Sequence, residues 1–150
     1  MTEAEFETYL HDHIPLSRAM AVRVISIADQ QVTLSAPLAP NINHRDTVFG
    51  GSAASIATLA AWSLLHLRLV AAGLPSRVVI QRSTMDYLAP IAGDFTATAT
   101  FESAANWDTF LRMLTRKGRA RIALQAALDY QGQKAVQFHG EFVALGKDRL

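Results

Sequence analysis

The sequence predicts a single α+β domain in which a curved, six-stranded antiparallel sheet wraps around one long helix. Three observations carry this. Residues 47 to 67 hold no formal charge and read as a helix too apolar to lie on a surface. Two segments before it and four after it carry β-branched, aromatic or alternating residues. The connections between those segments are short, which suits antiparallel neighbours.

Residues 2 to 12 place Phe6, Tyr9 and Leu10 at helical spacing, and Ile14-Pro15 ends that pattern, so a short amphipathic helix is expected on the domain surface. Met20 to Ala28 alternates around Val22, Val24 and Ile27. Asp29-Gln30 supplies a turn, and Gln31 to Ala36 resumes with Val32 and Leu34, completing a hairpin. Pro37 and Pro40 stop the ladder because proline has no N–H to give it. From about Val48 to Ala72 the chain reads as one helix, ended by Gly73 and Pro75. At 100° per residue, Ile56, Leu59, Trp62, Leu64, Leu65 and Leu67 spread around its circumference, so it should be enclosed on all sides. Arg77 to Leu88, Asp94 to Glu102, Arg119 to Tyr130 and Lys134 to Leu145 are the four remaining strands. Turns fall at Pro90 to Gly93 and at Gln131-Gly132, and a short helix is expected over Trp107 to Leu114.

The composition narrows the function classes. With 150 residues, half of them apolar, the chain can build one substantial core, and residues 1–150 are read as one domain. Fourteen Lys and Arg against thirteen Asp and Glu leave a formal charge of +1, which gives no global pull toward nucleic acid or an anionic membrane. Without cysteine there is no disulfide scaffold, zinc-thiolate site or cysteine nucleophile, and a reducing, cytoplasmic setting is expected. The acidic, amphipathic start MTEAEFETYLHDH has the wrong charge and pattern for a secretory signal. Residues 47 to 67 approach the ~20 residues of a membrane span, but Gly50, Gly51, Ser52, Ser55, Thr58 and Ser63 dilute them, so no span is expected. His11 and His13 flank Asp12, a poor zinc signature, and neither a metal nor a cofactor is expected.

The most informative stretch is Asn41 to Ser52, NINHRDTVFGGS, a polar loop running into a Gly-Gly pair at the head of the long helix. The first N–H groups of a helix lack intrahelical partners, and glycine removes the side chain that would hold a ligand away. Gly50, Gly51 and Ser52 can therefore offer N–H groups to an anion or a carbonyl oxygen. The competing reading is a core helix whose glycines only permit close packing.

Four blocks in order, IPLSRAMAVRV, APLAPNINHRDTVFGGS, MDYLAPIAGDF and RKGRARIAL, resemble the thioesterase-domain family found at the C-terminus of YiiD-type acyltransferases. The resemblance spans about Tyr9 to Leu145. It implies the hotdog fold, assembled as a homodimer or a dimer of dimers, and hydrolysis of acyl thioesters carried by coenzyme A or acyl carrier protein, with a non-hydrolytic module that holds such a thioester for an acyltransferase or other partner as the alternative. The wider hotdog thioesterase group has a polar residue before the helix, His-Gly-Gly at its start and a carboxylate two turns on. Asn43 resembles the pre-helix amide and Gly50-Gly51 the glycine pair, whereas Phe49 stands in place of the histidine and Thr58 in place of the carboxylate. In the closer family the loop usually reads Asn-His-Lys-Gly-Thr, so Asp46 departs from glycine.

Thioester hydrolysis requires stabilisation of a developing oxyanion and a group that positions or deprotonates water. Gly51 and a neighbouring N–H suit the first task, with Asn43 as a second polar contact unless it only pins its own loop. His44 is a candidate general base for the attacking water, or a solvated loop residue. Asp46 reads first as a helix cap. Ser52, Ser55 and Thr58 recur every three residues on one sector of the helix and could orient a thioester, or bond back to their own helix carbonyls. Asp86 is a strand carboxylate that a partner subunit could share, given that hotdog sites lie at dimer interfaces. Arg112, Arg116, Lys117, Arg119 and Arg121 form a basic run that a coenzyme A phosphate or an acidic carrier protein would be drawn to, or an ordinary solvated charge cluster.

Overall fold

In a computed structural model, residues 1–146 are described. They form α1 (Glu3–His13), α2 (Pro15–Ala19), β1 (Arg23–Ala28), β2 (Gln31–Ala36), a 3-10 turn (Ala39–Asn41), α3 (Gly50–Ala71), β3 (Arg77–Tyr87), β4 (Phe95–Phe101), α4 (Trp107–Lys117), β5 (Arg119–Tyr130) and β6 (Gln133–Leu145). The six strands make one sheet in the order β1-β2-β4-β5-β6-β3, antiparallel at every junction, with α3 packed against its concave face. This is the hotdog arrangement that the element order predicts.

Local chemistry explains the boundaries. Thr2 caps α1 in a reciprocal box with Glu5, and Phe6 and Leu10, one turn apart, are fully buried. Pro15 does end α1, but it also opens α2, a helix not foreseen from the pattern: at the first helical position its missing N–H is no loss and its fixed φ suits the turn. Gln131 and Gly132 both have positive φ (51° and 78°), as a two-residue hairpin turn requires, and they join β5 to β6. Asn106 caps α4, and Gly118, at φ 71°, ends it after Lys117, one turn beyond the expected Leu114.

The long helix begins two residues later than the Val48 expected. Val48 donates its N–H to the Ile91 carbonyl and bridges Ile42, and Phe49 N donates to the Asn41 carbonyl, so both are extended chain. Helix α3 is also not enclosed all round. Ile56, Ala57, Ala60, Leu64, Leu65 and Leu69 are buried under the sheet, but Gly51, Ser55, Thr58 and Trp62 form a partly open strip on the other side. The cause lies at the sheet edge: β3 pairs with β6 alone and nine of its eleven residues are exposed, so among the described residues no further strand covers that side of the helix. Helix α3 is the one element among the described residues long and apolar enough to cross a membrane, and it is the core helix of this fold.

Candidate active site

The head of α3 is uncapped. Phe49 is its N-cap and provides no side-chain bond, and the first intrahelical hydrogen bond runs from Ala53 N to the Phe49 carbonyl at 3.0 Å. The N–H groups of Gly50, Gly51 and Ser52 therefore precede the ladder, and no acceptor meets them among the described residues. Two aromatic rings frame this tip. The Phe49 ring lies where a Gly51 side chain would be: a Cβ there would fall 2.4 Å from Phe49 Cε2. Tyr87, at the end of β3, lays its ring beside Gly50 and donates its hydroxyl to the Gly50 carbonyl at 3.2 Å. Both rings are 57% exposed, so they border the tip without sealing it. The bare Cα of Gly51 makes room for the Phe49 ring.

The preceding loop is tied by Asn43. Its Oδ1 accepts from Arg45 N at 2.8 Å and Thr47 N at 3.2 Å, its Nδ2 donates to Thr47 Oγ1 at 2.9 Å, and its backbone N–H donates to the Thr47 carbonyl. The loop-pinning role is therefore present, and it leaves one Nδ2 proton for another acceptor. His44 is exposed, with Nε2 accepting from Arg45 Nε at 3.4 Å, and no hydrogen bond ties it to the helix tip. Asp46 caps nothing: its side chain is exposed and its φ is 65°.

Below the tip, the open strip of α3 floors an apolar groove of about 360 Å³. Ser55, Thr58, Leu59 and Trp62 line it from the helix, with Ile80 and Phe142 on the sheet side. Thr58 Oγ1 donates back to the Ala54 carbonyl at 2.8 Å, the self-satisfied state of a helical threonine, and offers no carboxylate chemistry. Gly51, Ser55, Thr58 and Trp62 follow one another at intervals of four, three and four residues, which keeps them on one helix face. Ser52 is half-buried beside this face but does not line the groove.

The remaining expected residues lie elsewhere in the protomer. Asp86 alternates with Tyr87 and so points to the opposite face of β3 from the helix tip. Lys117, Arg119 and Arg121 surround a separate hollow of about 560 Å³ with Gln81, Met113 and Val143, while Arg116 is exposed on α4. In sheet register this cluster sits at the Arg77–Val79 end of β3, whereas Gly50 touches Tyr87 at the other. One protomer therefore does not bring the basic run to the tip.

Sequence reasoning missed three features. Asn41 is buried and its Nδ2 clamps the loop by donating to the Met20 and Pro37 carbonyls; nothing but its place in the NINH block hinted at this. Tyr87 follows the carboxylate that drew attention instead. His139 and Glu102 form a hydrogen-bonded pair on the outward face of the sheet, 37 residues apart, a separation that leaves no local signal.

A family model described as "Putative thioesterase (yiiD_Cterm)" matches residues 3–146. The chain belongs to this YiiD C-terminal thioesterase family. Among solved structures, it is similar to a protein of unknown function from Chlorobaculum tepidum TLS, at 29% identity and a TM-score of 0.87 over 95% of this chain and 93% of that one. A "putative thioesterase" from Shewanella oneidensis is also 29% identical, with a TM-score of 0.85 over 95% and 96% of the two chains. A Pseudomonas aeruginosa protein named a "probable thioesterase", 18% identical with a TM-score of 0.80 over 97% of each chain, shares the fold. Membership in the YiiD C-terminal family supports a thioesterase-like function. Asp46 has a left-handed φ of 65°, a conformation that glycine adopts without strain.

Proposed function

We propose that this protein hydrolyses acyl thioesters of coenzyme A or of acyl carrier protein by direct attack of water. The observation that carries this reading is the uncapped α3 tip, with three unpartnered N–H groups, heading the same helix face that floors the apolar groove. The thioester oxygen accepts from Gly51 N–H and a neighbour, and the helix dipole adds to the stabilisation as that oxygen becomes an oxyanion. Water adds to the carbonyl carbon, the C–S bond breaks, and a carboxylate and a thiol leave. Asn43 orients through its remaining Nδ2 proton, and His44, in the loop before the tip, takes a proton from water. The Phe49 ring must swing off Gly51 for the carbonyl to approach. Two copies pair through β3, and Arg116, Lys117 and Arg119 attract the phosphates of coenzyme A or an acidic carrier protein.

The testing experiment is a panel of acyl-CoAs and acylated carrier protein, run on wild type and Asn43→Asp. The aspartate keeps an acceptor for the Arg45 and Thr47 N–H groups but removes the donor. Wild type should turn over repeatedly, and the variant should lose about 10²-fold or more in kcat with its Tm little changed. No turnover on any substrate would refute hydrolysis. A second reading, a non-hydrolytic module that holds an acyl thioester for a partner, is favoured by the self-bonded Thr58 where a carboxylate is expected. Tight binding without product release would support it.

A further inference from the structure

Trp62 stands at the far end of the groove, eleven residues beyond Gly51 on the same helix face, a rise of about 16 Å. It is held on two sides. Its Nε1 donates to the Val78 carbonyl at 3.1 Å, which ties the indole to β3. Its face stacks on His66, with centroids 4.7 Å apart and planes 9° from parallel. His66 stacks in turn on Tyr9 at 5.4 Å, and Tyr9 on His13 at 4.1 Å, a column of rings running from α3 to α1. An indole bonded at its edge and stacked on its face cannot rotate out of the groove without losing both contacts. The walls beside it are apolar, with Leu59, Ile80 and Phe142 on the α3 and sheet sides and Ile14, Leu16 and Met20 as the lip. Ser55 and Thr58 are the polar side chains of the lining, and Thr58 is already satisfied. Such a space suits an unbranched hydrocarbon entering from the Gly51 end and stopping at a fixed wall.

We propose that Trp62 is a specificity-determining residue that closes the acyl groove and limits the substrate to medium-length unbranched acyl chains. The inference rests on the reading of the groove as an acyl-thioester site. The groove volume of about 360 Å³ is of the order of a dozen methylenes at about 30 Å³ for each water-sized group, and the fixed indole marks where a longer chain would meet a wall. Trp62→Ala removes the wall and extends the cavity toward His66. Ala54→Leu, also on the groove lining, fills it instead and should shift the preference the other way.

The experiment measures kcat/KM for butyryl-, octanoyl-, dodecanoyl- and palmitoyl-CoA with wild type, Trp62→Ala and Ala54→Leu. Wild type should favour octanoyl or dodecanoyl over palmitoyl by about tenfold or more. Trp62→Ala should raise the palmitoyl-to-octanoyl ratio about tenfold, and Ala54→Leu should raise the butyryl-to-octanoyl ratio. A wild-type preference for palmitoyl, or ratios unchanged in both variants, would overturn the proposal. Calorimetric binding of octyl- and hexadecyl-CoA thioethers, which cannot be hydrolysed, separates it from the hydrolytic reading. A shift toward hexadecyl in Trp62→Ala supports the wall even in a protein without turnover, whereas equal affinity changes for both thioethers overturn it. If Trp62→Ala fails to fold, the opposite shift in Ala54→Leu decides, and its absence counts against the proposal.

Discussion

Asp46 and Phe49 show how much the loop before α3 depends on single residues. An aspartate can occupy φ 65°, but at a cost glycine avoids, since its Cβ crowds the backbone there. Asp46 forms no cap bond that would offset this cost. Asp46→Gly should therefore raise stability by up to about 1 kcal/mol, measured as a higher urea midpoint with an unchanged slope, although glycine returns part of the gain by loosening the unfolded chain. The sequence made the glycine pair legible as a helix opening, but not the ring over it. Whether Phe49 turns toward Gly51 or toward solvent depends on a rotamer that no spacing rule encodes. Asn43 was legible as a loop amide and as a polar contact, and only its hydrogen bonds show that the first role uses most of its capacity.

The elements themselves were read more completely than the residues. Alternating, β-branched or aromatic residues marked all six strands, and alternation is clearest where one face lies on the core, as in β5, where Ala120, Ile122, Leu124, Ala126 and Leu128 are buried in turn, whereas β3 is exposed along most of its length. The five-residue α2 escaped because a single turn has no period to detect. The contact between α1 and α3 was also invisible, since it joins His13, Tyr9, His66 and Trp62 across more than fifty residues of chain. This ring column should give the protein an acid-sensitive stability. Burial, and secondarily the charge His13 can carry, lowers the pKa of His66 from the ordinary 6.5. Below pH ~6.5 the unfolded chain takes up a proton that the folded His66 still refuses, so stability is full above that value and declines as pH falls toward the lower folded pKa. Denaturant midpoints should hold between about pH 8 and 7 and fall below about 6.5. His66→Phe, which keeps a ring in the column, should remove that part of the fall; an unchanged pH profile in the variant would contradict the assignment.

At the scale of the whole molecule, β1 and β3 are the two edges of the sheet: α1 packs on β1, where Glu7 accepts from the Val24 N–H, whereas β3 is largely exposed. Val79, Ile80, Tyr87 and Leu88 are all exposed on or beside that strand, and Phe49 and Leu16 add apolar surface near it. The proposed pairing of two copies through β3 would extend the sheet and cover the open strip of α3. A two-fold axis brings the middle of each β3 against the other, so like charges added there face each other. Ser83→Lys with Thr84→Lys, beside Arg82, should reduce the solution mass to that of one chain by light scattering while leaving the far-ultraviolet circular dichroism intact. An undiminished mass would place the assembly contact elsewhere. The same strand carries an irregularity between Ile80 and Arg82, where one extra residue shifts the register against β6. A bare edge is an invitation to any extended peptide, yet a kinked one beside a guanidinium accepts few visitors. Under the proposed pairing, the bend that spoils a flat template for strangers would be matched in a second molecule of the same sequence, so the defect would work as a password, admitting kin and turning aggregation partners away.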